Sequence, residues 1–177
     1  MKQPGAEVSP LLAALRRHRV RFVLVGGVAA VVEGAPVSTL AVDIVHDPEP
    51  RNVLRLVAAL HEIEARYRTR PDLRRSPTAE ALAGHGHHLL VTRFGPLDVL
   101  GVIGNGREFR SLARTARRRK LGDFFVWVLD LETQIAVKEE LAFAKDRAVL
   151  PILRETLRLR RGRSRSRRTE RRVNRRV

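Results

Sequence analysis

Val25-Gly26-Gly27-Val28-Ala29, followed by Ser38-Thr39-Leu40-Ala41-Val42-Asp43-Ile44-Val45, is the stretch that decides the fold of this 177-residue chain. The segment 21–25, which is apolar after Arg21, predicts a buried strand that ends at the Gly-Gly pair, and residues 28–33 predict a short helix. Two glycines let backbone approach a ligand closely, and free N–H groups at a helix N-terminus attract phosphate. The pair alone is a weak signal, because Gly-Gly is more often only a tight turn.

The next predicted strand, 40–46, carries an acidic side chain among apolar ones. Alternate side chains share a face, so Val42 and Ile44 are expected in the core and Ala41 and Asp43 on the other side. A carboxylate in an apolar strand is costly unless it is exposed, paired or bound to a metal. Asp98 repeats this pattern in Leu97-Asp98-Val99-Leu100. Either aspartate alone is best explained by a strand end or an arginine partner, whereas the set favours a Mg²⁺ site.

These motifs, in this order, resemble the signature of the nucleotidyltransferase superfamily of the DNA-polymerase-beta type. That signature has a Gly-Gly or Gly-Ser turn, an Asp-x-Asp strand and a third carboxylate on a later strand, which Asp98 matches. The segment from Leu131 through Lys138 to Arg147 is similar to the helical end of small bacterial members, among them relatives of toxin components of toxin–antitoxin pairs. The resemblance covers about residues 15–157.

The resemblance implies a fold, a site and a reaction. Asp43 and Asp98 would be the catalytic carboxylates that hold Mg²⁺, and the nucleotide would be bound by Gly26, Gly27, Thr39 and Lys138. The substrate would be a nucleoside triphosphate, and an RNA (for example a tRNA) or protein hydroxyl would accept the nucleoside monophosphate. A cognate antitoxin is a further implied partner. Lys138 is the weakest of these assignments, since a lysine on a helix face is usually only solvated.

Ala41 departs from the signature because it stands where the first aspartate of Asp-x-Asp is expected. Three explanations are open: a natural pseudoenzyme that keeps the pocket, a substitute acid such as Glu33 or Asp47, or an introduced Asp-to-Ala change. Each predicts weak or no metal-dependent transfer by this chain. The alternative function is a catalytically inactive relative that acts as a nucleic-acid or partner-protein binding module.

The rest of the chain predicts an α/β (α+β) fold with a mixed sheet flanked by helices and with C-terminal helices, in one domain of residues 1–157. Helices are predicted after Ser9-Pro10, after Asp47-Pro48, from Asp130 or Thr133, and near Asp146. Further strands are predicted at 88–94, 97–103 and 124–129, with a turn at Gly95-Pro96 and a long loop over residues 67–86.

Charge is concentrated at the C-terminal end. Residues 158–177 contain eleven arginines and one glutamate, and so hold ten of the chain's sixteen net positive charges. This segment lacks apolar periodicity, which predicts a disordered tail able to contact nucleic acid without sequence preference, or merely a solvated appendage. The absence of cysteine excludes disulfides and thiolate sites. With no long apolar segment, the chain is expected to have no membrane partner and to be cytoplasmic.

Two further signals are set aside. The cluster Gly84-His85-Gly86-His87-His88 has no spaced partner that would complete a tetrahedral metal site, so a turn is the preferred interpretation. Trp127 and the scattered phenylalanines are expected in the core and not on a base-stacking surface.

Overall fold

The computed structural model describes residues 6–69, 75–141 and 143–173. None of the helices in these ranges is both long enough and apolar enough to span a bilayer. The elements, in chain order, are α1 (Val8–Arg17), β1 (Phe22–Val25), α2 (Gly26–Val32), β2 (Val42–His46), α3 (Pro50–Glu62), β3 (Arg66–Tyr67), α4 (Ala79–Leu82), β4 (His87–Thr92), β5 (Gly95–Leu100), β6 (Val102–Ile103), β7 (Arg107–Glu108), α5 (Phe109–Thr115), β8 (Arg117–Leu121), β9 (Phe124–Val128), α6 (Leu131–Leu141) and α7 (Ala144–Val173).

A seven-stranded mixed sheet lies at the centre, in the order β3-β4-β5-β2-β1-β9-β8. The strand β1 is antiparallel to β2 and parallel to β9, while β2 is parallel to β5. The outer pairs β4–β5 and β8–β9 are antiparallel hairpins. The predicted mixed sheet flanked by helices is therefore confirmed, and its centre is the pair of strands that the Gly-Gly turn and Asp43 belong to.

Helices bury apolar side chains on both faces of the sheet. On one face, Val42 and Ile44 pack with Leu11, Leu15 and Leu56 from α1 and α3, as the strand alternation predicts. On the other face, the first strand packs against α5. A third cluster joins α2, α6 and α7 through the side chains Ala30, Leu131, Ile135, Leu150 and Leu153. The last two helices are thereby fixed beside the Gly-Gly turn.

Several predicted boundaries are shifted by the local hydrogen bonds. The helix α3 begins at the second acid–proline pair: the Glu49 carboxylate accepts from the N–H groups of Arg51 and Asn52, with Pro50 at the first helical position. Asp47 instead pairs with Arg21. In the first helix the cap residue is Glu7 and not Ser9, which leaves Pro10 within the first turn, where its missing N–H is not required.

The predicted long loop over 67–86 is partly wrong, although residues 70–74 of it lie outside the described ranges. Tyr67 belongs to β3 and pairs with β4, and Thr78 caps the short helix α4. The turn of the next hairpin is at residues 93–94 and not at Gly95-Pro96, because Thr92 and Gly95 are register partners. The elements β7, α5 and β8 have no counterpart in the sequence prediction.

The sheet also exposes aromatic side chains. Phe124 is buried, but Phe125 is 49% and Trp127 is 53% exposed, so the expectation of a core position for Trp127 is wrong. The strand alternates strictly between buried and exposed positions, which places these two rings on one face.

The C-terminal helix differs most from the sequence prediction. Backbone that was expected to be disordered from residue 158 is helical to Val173. Arginine is a good helix former, and a helix already packed through Leu150 and Leu153 is extended at low free-energy cost. Arg160 also ion-pairs with Glu33, so contact with the body continues beyond residue 157.

Glu33 anchors this helix. Its carboxylate is buried and accepts hydrogen bonds from Arg119 of β8, at 2.5 and 3.1 Å, and from Arg160 of α7. Glu33→Gln leaves two guanidinium groups without a counter-ion, and both are partly exposed and can be rehydrated. We therefore expect a loss of about 1–3 kcal/mol in the free energy of unfolding, measured by urea denaturation.

The matched control is Glu155→Gln, which removes an exposed ion pair with Arg158 on the same helix. We expect little change from it. Equal stabilities of the two variants would show that Glu33 does not hold the helix in place.

Candidate functional site

A cleft of about 730 Å³ opens where β1 ends and α2 begins, and α6 and α7 form its far wall. Asp43 and Asp98 lie on its floor as direct register partners on the adjacent parallel strands β2 and β5. The cleft is also lined by Gly26, Gly27 and Thr39, and by Lys138 from α6. All six residues singled out in the sequence are thus brought together.

The two glycines are required by close approaches. Gly26 has φ +66°, and a Cβ atom there would lie 2.2 Å from Oδ2 of Asp43. A Cβ atom on Gly27 would lie 2.5 Å from the Cβ of Thr39. The Thr39 hydroxyl donates to the carbonyl of Ala41 at 3.1 Å, which fixes the segment entering β2. The glycine turn therefore packs directly against the carboxylate strand and its approach.

Asp43 has an unusual titration. Burial raises the pKa of its carboxyl group to about 7, and repulsion from the Asp98 carboxylate acts in the same direction. The Gly27 N–H and the positive charges of Lys138 and Arg68 lower the pKa, but they do not offset the burial. A carboxyl group in a cleft whose pKa is raised to near neutral pH is typical of a functional site.

Two basic side chains accompany the carboxylates. Arg68, just after β3, binds both oxygens of Asp98, at 2.7 and 3.1 Å. Lys138 donates to Oδ1 of Asp146 at 2.7 Å, and Asp146 is itself buried at the start of α7. Sequence reasoning missed both Arg68 and Asp146. The first lies in a segment interpreted as a loop, and the second was noted only as a helix start.

Two solved structures resemble this architecture. A candidate nucleotidyltransferase from Thermotoga maritima is 17% identical, aligned over 80% of this chain and 86% of its own, with a TM-score of 0.52. The lincosamide antibiotic adenylyltransferase LnuA, in a lincomycin-bound structure, is 14% identical over 88% of this chain and 99% of its own, with a TM-score of 0.59.

The chain has the nucleotidyltransferase fold. At these identities the likeness shows the fold alone. No protein-family model matches the chain, and no curated protein matches it either.

The predicted strand 40–46 included Ala41. In the structure β2 begins at Val42, so Ala41 lies directly before the strand. Neither acid considered as its substitute lines the cleft. Glu33 is bound to Arg119 and Arg160, and Asp47 is bound to Arg21. Asp146 does line the cleft: its Oδ1 atom accepts from Lys138, while its buried Oδ2 atom has no hydrogen-bond partner among the described residues. The explanation by a substitute acid is thereby contradicted for both proposed residues.

The donor set fits one Mg²⁺ ion. Mg²⁺ is commonly held by one or two carboxylates together with substrate phosphates, and the pair Asp43–Asp98 supplies two. Burial, and after it repulsion from Asp98, raise the pKa of Asp43, and a bound cation would oppose both effects. Within the described ranges no group of three or more potential protein ligands is arranged around a common point, so the remaining ligands of the ion would come from substrate phosphates and water.

The histidine cluster has separate partners. His85 pairs with Glu108, His87 bonds the carbonyl of Val102, and the Nδ1 atom of His88 is 2.7 Å from the hydroxyl of Tyr67. These side chains therefore serve the ends of neighbouring strands and do not converge on one point.

Proposed function

We propose that the cleft binds a nucleoside triphosphate with one Mg²⁺ ion, and that the chain is a nucleotidyltransferase whose transfer rate is limited by Ala41. The observation that carries this proposal is the register pairing of Asp43 with Asp98 directly beneath the Gly26-Gly27 turn. The nucleotidyltransferase fold and the position of Lys138 across the cleft support it.

Each group has a distinct part. The glycine backbone leaves room for phosphate oxygens, and the Lys138 ammonium supplies positive charge, held in place by Asp146. Asp43 and Asp98 would hold Mg²⁺, which when bound neutralises charge on the triphosphate and assists displacement at phosphorus. Arg68, which is bound to both oxygens of Asp98, would orient that carboxylate.

The acceptor of the nucleoside monophosphate is a separate part of the proposal. An RNA (for example a tRNA) or a protein hydroxyl is the acceptor that the resemblance implies. LnuA is an adenylyltransferase for a lincosamide antibiotic, so a small molecule with a hydroxyl group is a further acceptor class to assay. A cognate antitoxin and nonspecific nucleic-acid contact by the C-terminal arginines stay predictions.

The test is a transfer assay with each labelled nucleoside triphosphate and Mg²⁺, against total RNA, total protein and hydroxylated small molecules. For the chain with Ala41 we expect a weak signal. Ala41→Asp restores the missing carboxylate, and we expect the rate to rise by at least about tenfold, which corresponds to about 1.4 kcal/mol of barrier.

The matched control is Ala58→Asp, which adds the same charge at an exposed position on α3. It should leave the rate unchanged. Silence of both the parent chain and Ala41→Asp would rule out transfer and favour the alternative, a binding module that keeps the pocket.

A further inference from the structure

Phe125 and Trp127 form an exposed aromatic platform on β9. They project from the face of the sheet that also carries Asp43 and Asp98, because the register places both pairs on the side opposite Leu24 and Val128. Arg118 and Lys120 of β8 are the direct register partners of Trp127 and Phe125. Large aromatic side chains that are half exposed in a basic surrounding are uncommon on an inert surface.

A groove of about 440 Å³ lies beside the platform. It is lined by Arg16 in the last turn of α1, by Arg19 and Arg21 between α1 and β1, and by Phe109 of α5. None of the described residues that line it is acidic; Arg21 also pairs with Asp47, which lies outside the lining. The guanidinium group of Arg118 already stacks on the ring of Phe125, with 4.2 Å between its central carbon and the ring centroid. The rings and cations are thus interleaved.

We infer that this surface binds single-stranded RNA. Unpaired bases stack on aromatic rings and on guanidinium planes, while arginines along a groove neutralise the backbone phosphates. A duplex does not fit this chemistry, because its bases are stacked on each other. In RNA, loops and ends commonly present unpaired bases.

A second copy of the chain is a poorer occupant. The edge strand beside the platform reads Arg117-Arg118-Arg119-Lys120, and a row of like charges opposes edge-to-edge pairing. The same charges attract a polyanion. Charge complementarity therefore favours RNA over self-association.

This inference stands without the proposed transfer reaction. The lining residues of the groove and those of the cleft described above do not overlap. Binding at the platform needs neither a triphosphate nor Mg²⁺, so its success or failure is measured separately.

Trp127 provides a direct readout, since it is the only tryptophan of the chain. We expect an oligouridine of about 12 nucleotides, within the range of known single-strand sites, to quench its fluorescence on titration of the full chain without Mg²⁺. A blunt-ended RNA duplex of equal charge, which has no unpaired loop, should quench it much less. Stacking places a base on the indole, whereas phosphate contact by the C-terminal arginines leaves the indole unchanged.

Affinity is measured in parallel by anisotropy of a labelled RNA. Because stacking contributes about 1–3 kcal/mol per base, Trp127→Ala should weaken binding by about 5- to 150-fold, with Phe125→Ala in the same direction and Trp127→Phe close to the parent. Leu54 is an apolar side chain on α3 that is at least as exposed as Trp127, so Leu54→Ala is the matched control and should bind as the parent does.

Two results would overturn the inference. One is RNA binding that neither quenches Trp127 nor weakens in Trp127→Ala, since binding would then lie elsewhere. The other is a concentration-dependent dimer that Trp127→Ala abolishes, since the platform would then be an interface between copies of the chain.

Discussion

Gly26→Ala is expected to lower the free energy of unfolding by about 2–5 kcal/mol and to abolish binding in the cleft. An alanine must adopt the left-handed conformation of Gly26, at φ +66°, which costs about 1–2 kcal/mol. Its Cβ atom would also lie 2.2 Å from the Asp43 carboxylate. Relief of that overlap requires Asp43 to move, at a further cost of about 1–3 kcal/mol.

Gly122→Ala separates the two contributions. Gly122 has φ +57° in the turn between β8 and β9, and a Cβ atom there meets nothing within 4 Å. Urea denaturation should therefore show only the backbone cost for this variant. In the Gly26→Ala background, Asp43→Ala should recover part of the lost stability, because it removes the overlapping carboxylate. Equal losses for Gly26→Ala and Gly122→Ala would disprove the close packing of the turn on Asp43.

Asp43→Asn is expected to stabilise the metal-free protein at alkaline pH. The pKa of this carboxyl group is about 7 in the folded state, against 3.8 as its ordinary value. Between about pH 4 and pH 7 the unfolded chain is ionised while the folded chain keeps the proton, so stability falls as pH rises through this window. Asparagine does not titrate, so the stability of Asp43→Asn should not show this fall between about pH 4 and pH 7.

The difference between Asp43→Asn and the parent should therefore be small near pH 4 and reach about 2–4 kcal/mol near pH 8. It is measured by chemical denaturation across pH in a chelator. Asp123→Asn, in an exposed turn, is the control and should follow the parent curve. Added Mg²⁺ should stabilise the parent near pH 8 but not Asp43→Asn. If the stability curves of the parent and of Asp43→Asn ran parallel at all pH values, the raised pKa of a buried Asp43 carboxyl group would be contradicted.

The sequence predicts the centre of the fold well because the patterns that define it involve residues close together in the chain. A strand that ends in Gly26-Gly27, and a second strand with Asp43 among apolar residues, need few long-range contacts to be recognised. The alternation of β2 then fixes which side chains enter the core. The two aspartates meet because their strands are adjacent in the sheet, which the resemblance implied and local pattern does not show.

The sequence predicts the surroundings of the site poorly. Arg68 reaches Asp98 from just beyond a short edge strand, and Asp146 reaches Lys138 from the next helix, so both contacts depend on tertiary structure. The strand β8 was missed because four consecutive basic residues do not resemble a strand, although an edge strand tolerates charge. For Trp127, the uniform apolar run 124–129 concealed the alternation that exposes every second side chain.

The central claim, a triphosphate site built on Asp43 and Asp98, is tested most directly by calorimetric titration of non-hydrolysable nucleoside triphosphates with and without Mg²⁺. We predict saturable binding that requires Mg²⁺ and weakens by at least about tenfold in Asp98→Asn, as loss of a metal-binding group generally does. Lys138→Met should also weaken it, whereas Lys120→Met, on the opposite flank of the sheet, should not. Absence of saturable binding by any triphosphate, or binding that neither Asp98→Asn nor Lys138→Met alters, would contradict the account.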